Sequence, residues 1–391
     1  MKRYKDLAAL LLLCALFLSA CGTSKSQDSS QDGRADTGGA VTAPPAGGAD
    51  AGSAATSLPA GGADGTRTDN MAPCVEPLYD PRSNSLTLTD LASNTVLASY
   101  PFEEGQYVLS AESVNDGVVA LAAAETEDAN SDNQGNVIIQ GVDSDEKITV
   151  YRFDQQLHLR DSFRLEDPGL PDGLISYPLA VSRDGSALTW VQEDGIYRYV
   201  LETGDLEQVP LKLPEAVCFD RIRYSEDGKK LFYFGGNGQE DVTVYGALDA
   251  ETGKGTLFYA EDFDASSITV TGDYAVVNAA VPPGASDGNG RILLIDSIAG
   301  TGSEITLKSE GENDLAAAAA DGKTLITCAA ADGKGGVLRF YDTASSELKS
   351  EQPYSCEQEG IPYLLLVREQ TAQVVLRTAQ GFVLSVPVAL P

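Results

Sequence analysis

The chain has 391 residues, 42% hydrophobic and 22% charged, with a formal net charge of −31 at pH 7. That carboxylate excess excludes a nucleic-acid footprint and disfavours direct adsorption to anionic lipid. A single histidine argues against Ser-His-Asp, Cys-His and histidine-ligated metal chemistry, while carboxylate chemistry stays open.

At the start of the chain, Lys2, Arg3 and Lys5 precede a nearly continuous apolar run from Leu7 to Leu18, the layout of a secretory signal. The run is too short and wrongly flanked for a stable membrane span. It ends in Leu18-Ser19-Ala20-Cys21, which resembles the lipobox of bacterial lipoproteins. The resemblance implies a signal peptide over residues 1–20, a diacylglycerol on the Cys21 thiol, and acylation of the new amino terminus. The alternative is an ordinary cleaved signal or an uncleaved anchor. Two or three acyl chains anchor a protein stably where one holds it only marginally. The expected location is therefore the extracytoplasmic side of a bacterial cell envelope, with the membrane reached through lipid.

Residues 21–73 are Gly, Ala, Ser, Thr, Asp and Pro with hardly a large apolar side chain. Such a segment buries too little to offset its ordering entropy and is expected to be a disordered linker. Its root-mean-square span is roughly 40 Å, and its stretched reach is on the order of 170 Å. It reads as a tether that lifts the folded part off the bilayer, or as neutral filler.

Residues 74–391 are long enough for a substantial core. Their four cysteines, Cys74, Cys218, Cys328 and Cys356, form no Cys-x-x-Cys pair, so they read as two disulfides or as buried thiols. A turn phrase recurs. Ser182-Arg183-Asp184-Gly185 returns as Ser225-Glu226-Asp227-Gly228 and as Ala319-Ala320-Asp321-Gly322, with weaker copies at Asp116-Gly117 and Gly272-Asp273. From Asp184 onward these aspartates are spaced 43 to 48 residues apart. A second phrase, an alternating strand followed by a turn, occurs near residues 86, 148, 196, 242, 291, 337 and 382. Period-two alternation bounded by Gly, Asp, Asn and Ser predicts strands and hairpins throughout. The Ala-rich run Leu315 to Ala320 occupies a strand slot.

Four short strands per 40–50 residues predict an all-β propeller. The Ser-x-Asp-Gly-x-x-Leu turn makes the chain resemble TolB-like and PD40-type propellers; it lacks the recurrent Gly-His and Trp-Asp of true WD40 repeats. Seven phrase copies predict seven four-stranded blades. The last blade looks short, and the N-terminal segment is expected to supply its outer strand as a latch; if closure consumes that segment, the count falls to six. On the same reasoning Cys74 and Cys356 are expected to lie close enough to bridge.

Candidate sites are few. The acidic insertion 125–147, with Asp128, Asn130 and Asp132, resembles a calcium loop, but its glycine is late and Ile139 stands where a glutamate is needed. It reads by default as an acidic surface loop. Gly284-Ala285-Ser286-Asp287-Gly288 matches a nucleophile-elbow pattern without its strand–turn–helix setting. Gly235 to Gly238 reads as a surface loop, and His158 as a strand-surface residue. No catalytic, cofactor-binding or metal-binding residue is singled out, and the chain reads as a monomer. The expected function is a surface-tethered, non-enzymatic binding or scaffolding lipoprotein whose propeller face takes a protein, peptide or glycan partner. The alternative is a secreted saccharide hydrolase or lyase, which requires two carboxylates converging in the central channel.

Overall fold

The computed structural model describes residues 75–90, 95–124, 146–239, 241–279, 290–307, 315–330, 334–367, 370–378 and 381–391. Cys21, the linker, Cys74, most of the acidic insertion and the Gly284–Gly288 pattern lie outside them.

Seven antiparallel sheets follow one another along the chain. The first holds β1 (Val75–Asp80), β2 (Ser85–Asp90) and β3 (Thr95–Pro101). The second holds β4 (Gln106–Val114), β5 (Gly117–Ala124), β6 (Thr149–Phe153) and β7 (Leu159–Arg164). The third comprises β8 (Leu179–Val181), β9 (Ala187–Gln192), β10 (Gly195–Val200) and β11 (Leu206–Pro210). The fourth comprises β12 (Cys218–Tyr224), β13 (Lys230–Gly236), β14 (Val242–Asp249) and β15 (Phe258–Glu261). In the fifth are β16 (Ala265–Thr271), β17 (Tyr274–Ala279), β18 (Arg291–Asp296) and β19 (Thr301–Thr306). In the sixth are β20 (Leu315–Ala318), β21 (Thr324–Ala330), β22 (Gly335–Asp342) and β23 (Leu348–Ser355). The seventh has β24 (Gly360–Val367), β25 (Thr371–Thr378) and β26 (Gly381–Leu384), with the short β27 (Val388–Ala389) pairing β25 beyond β26. This is a seven-bladed propeller.

Its core sits between blades. Side chains alternate across a strand, so Ala275 and Val277 of β17 pack on Phe232, Phe234 and Tyr245 of the fourth blade. Val276, between them, packs on Ala316, Ala318 and Leu325 of the sixth. Second strands are therefore buried on both faces, as in β5 and β9, whereas the outer strands β7, β11 and β19 are largely exposed. Each fully buried Leu, Val or Phe in these layers stabilises the ring by about 1.5–3 kcal/mol.

The repeated turn locks each inner hairpin. In the fourth blade the Ser225 hydroxyl donates to Asp227 Oδ1 at 2.8 Å and accepts the Lys230 N–H at 2.9 Å. Asp227 Oδ1 also accepts the Lys229 N–H at 3.0 Å. Gly228 takes φ +73°, where a Cβ is strained. The third blade repeats this with Ser182, Asp184 and Ser186. In the sixth, Ala319 replaces the serine and only the Asp321 carboxylate contact to the Lys323 N–H remains. The Lys229 ammonium, with the backbone and Ser225 bonds, holds the exposed Asp227 carboxyl down at about 2.

Two expectations are corrected. The N-terminal strand β1 is not a latch on the last blade: it pairs with β2 inside its own sheet, and the count stays at seven. Gly235 and Gly236 end β13 rather than forming a loop, because the backbone of Cys218 passes where a Gly235 Cβ would stand, 2.0 Å from the Cys218 carbonyl oxygen. Cys356 carries a free thiol. It follows β23 at the end of the sixth blade; Cys74, its expected partner, lies outside the described residues. Burial among the cluster around Cys328 pushes the Cys356 thiol up to about 11.

Gly117 opens β5 at φ +155°, and a Cβ there would lie 2.0 Å from the Phe153 carbonyl oxygen. Gly117→Ala is expected to cost about 3 kcal/mol or more, and Ser225→Ala about 1 kcal/mol through the lost turn bonds. Urea denaturation measures both; an unshifted midpoint for Gly117→Ala would mean that the hairpin relaxes without cost.

Candidate functional site in the central channel

The first strand of each complete blade lines the channel, and its alternate residues border it. Along β12, Arg221 and Arg223 are exposed while Ile222 is buried among side chains of the third and fourth blades. Along β24, Ile361 and Tyr363 are exposed. Among the described residues Arg223 forms no ion pair.

Glu112, on β4, is the carboxylate that this architecture draws inward. It accepts a hydrogen bond from the Val181 backbone N–H on β8, which ties the second blade to the third at the channel wall. Loss of hydration pushes its carboxyl above the usual range, against the fields of Arg223 and, more weakly, Arg183. Arg183 is held in place by donating from Nη1 to the Ser113 carbonyl at 2.8 Å. The field of Arg223 also reaches Tyr363, as do those of Arg377 and Asp80; desolvation dominates there and raises the phenol. Tyr363 packs on Phe382 with ring centroids 5.0 Å apart. Glu112, Arg223 and Tyr363 thus come from the second, fourth and seventh blades into one electrostatic neighbourhood.

A second carboxylate on an innermost strand, Asp220, is also raised by desolvation. Its compensating charge is Arg221, whereas that of Glu112 is Arg223. The described residues hold no cluster of three or more His, Cys, Asp and Glu placed to bind a metal.

A separate cleft of about 510 Å³ opens between the first and second blades, beside the Asp116-Gly117 turn. Leu88, Leu97, Ala98, Val114 and Val118 form its apolar wall, and Ser113, Gln155 and Gln156 its polar part. Leu97 is 53% exposed.

His158 lies in the turn before β7, exposed, with Nδ1 3.0 Å from Asp154 Oδ2. That local pair explains it without a role in the channel. The run Leu315 to Ala318 is a strand, as its place ahead of Asp321-Gly322 predicts. Sequence reasoning missed Glu112, Arg223 and Tyr363; the one signal was their period-two placement on first strands, which carries no information on which blades face each other.

No protein-family model and no curated protein matches the chain. Solved structures do. A Kuenenia stuttgartiensis hydrazine synthase chain is similar at 14% identity and TM-score 0.49, over 79% of this chain and 90% of that one. The Myceliophteria thermophila Cps50 (Swd1) propeller aligns at 11% identity and TM-score 0.49, over 81% and 96%. The propeller of the Pyrococcus furiosus Trilobed protease aligns at 15% and 0.44, over 74% and 85%. At these identities the likeness concerns the propeller alone, a fold that serves enzymes and binding proteins alike.

A carboxyl whose folded pKa is raised binds its proton more tightly in the native state than in the unfolded one. It therefore costs stability as pH rises from the unfolded value, about 4.3, through the folded value. Glu112→Gln keeps an acceptor for the Val181 N–H and removes that cost. Its melting temperature is expected to exceed the parent's at pH 7, with the difference closing as pH falls towards 4. Thermal scans across that range check it, and a constant difference would contradict the desolvated setting of Glu112.

Proposed function

We propose that this protein is a bacterial lipoprotein, lipidated at Cys21 and held outside the cytoplasm by its linker, whose TolB-like propeller binds a protein, peptide or glycan without turning it over. One observation carries the binding reading: the channel sets the desolvated carboxylate of Glu112 against arginines and an aromatic ring. A mixed cationic and aromatic lining recognises polar, carboxylate-bearing chains by charge-assisted hydrogen bonds and stacking. Carboxylate-pair hydrolysis requires a second acid at about 5–10 Å. Here Glu112 and Asp220 each face an arginine, Arg223 and Arg221. The raised carboxyl of Glu112 is the feature that favours the saccharide hydrolase or lyase as the second reading, since general acids are tuned in this direction.

The two readings part on a soluble fragment starting at Cys74, tested on glycan and peptide arrays and for turnover of the glycans. Binding without turnover, weakened tenfold or more by Arg223→Ala or Tyr363→Ala, is the expected result. Turnover abolished by Glu112→Gln would replace the binding reading with the enzymatic one. The address is tested separately: Cys21→Ala is expected to abolish incorporation of a fatty-acid probe, and undiminished labelling would refute lipidation at that residue.

A further inference from the structure

Among the outer strands of the first six blades, β3 alone carries no charged side chain; it reads Thr95-Val96-Leu97-Ala98-Ser99-Tyr100-Pro101. The other five, β7, β11, β15, β19 and β23, each carry at least one. Charge on an outer edge is a common guard against pairing with another chain. Val96 and Leu97, 57% and 53% exposed, are the only two consecutive large apolar residues exposed among the described residues. The ladder to β2 slips here: Leu88 pairs with Ala98 and Thr89 with Val96, so Leu97 is the extra residue of a bulge. Bulges re-aim side chains, and Leu97 lines the cleft between the first and second blades.

That cleft lies on the face that β3 turns to the second blade. Ala98 and Tyr100 pack on this face with Leu88, Val118 and Phe153. A strand laid along the outer edge of β3 points alternate side chains the same way. Its apolar residues then meet the wall of Leu88, Val114 and Val118. Ser113, Gln155 and Gln156 complete the lining, and none of them is charged. At the other end of β3 the pairing edge stops at Pro101, which has no N–H to give. Glu103 and Glu104 follow, both exposed. The field of Glu103 reaches the Tyr100 phenol, so this acid lies along the strand rather than away from it.

We propose that the outer edge of β3 takes an extended, basic peptide of a protein partner as an added strand, seating an apolar side chain in the cleft and a Lys or Arg beside Glu103 and Glu104. In this mode main-chain bonds to the edge give affinity, and the pocket for alternate side chains gives specificity. Charge selects the occupant. A second copy would bring a net charge of −31 against −31, with its own glutamates set against Glu103 and Glu104. A basic peptide is drawn to the same surface instead. Spacing follows from the strand: Leu97 and Glu103 are about 20 Å apart along extended chain at ~3.3 Å per residue, a span of roughly five or six peptide residues.

The proposal is independent of what the channel binds. Its probe is a bead library of peptides about ten residues long, Thr fixed at alternate positions and the rest randomised, offered to the full chain. Selection is expected to enrich Leu, Ile or Phe at one position and Lys or Arg roughly five or six residues away. The selected peptide is expected to slow amide exchange across β3 about tenfold, and its N-methylated form, which cannot pair with an edge, to bind no longer. Leu97→Asp is expected to weaken binding about tenfold, while Leu348→Asp, on the outer strand of the sixth blade, leaves it unchanged. Glu103→Lys with Glu104→Lys is expected to turn the selection towards acidic peptides. Failure to select any peptide, equal binding of the N-methylated form, or protection confined to β12 and β24 of the channel overturns the proposal, also if Leu97→Asp fails to fold. Protection of β3 that rises with protein concentration in the absence of peptide overturns it too, because the added strand would then come from a second copy.

Discussion

Every sheet in this protein buries both faces, and it does so only against its neighbours. That reciprocity is what the rest of the structure depends on. A blade such as β16 to β19 has no core of its own; Ala275 and Val277 need the fourth blade, and Val276 needs the sixth. Such an arrangement has no stable end, so it must return on itself, and a ring of seven does so. Between the first and last blades, Leu78, Val375 and the Arg82 bond to Thr378 are among the contacts that close it.

The turns serve this packing rather than the surface they decorate. Ser225 and Asp227 satisfy backbone groups at the hairpin end, which sets the register that places Leu231 and Tyr233 between blades. Where the serine is absent, at Ala319, the aspartate contact alone remains. Tyr274 fills the neighbouring space so closely that a Cβ on Gly322 would lie 2.2 Å from its ring. Turn chemistry and inter-blade packing are thus joined at the same residues.

The channel has a charge character unlike that of the whole. A chain of net charge −31 presents Arg221 and Arg223 along one innermost strand, and Arg183 beside it. The inward arginines act over short distances in a partly desolvated space, where charge interactions are stronger than at the surface. Glu112 sits against them at a cost in hydration.

Fold and blade count were legible in the sequence because both are local. Asp-Gly turns and period-two strands are written within a few residues. Misread from the sequence were Gly235, whose need for a close backbone approach looks like loop composition, and the N-terminal latch. Strand alternation says which residues share a face of one sheet. It does not say which sheet that face meets, nor how the ring closes. The meeting of Glu112, Arg223 and Tyr363 from three blades follows from radial closure, which juxtaposes residues more than a hundred apart through no local signal at all.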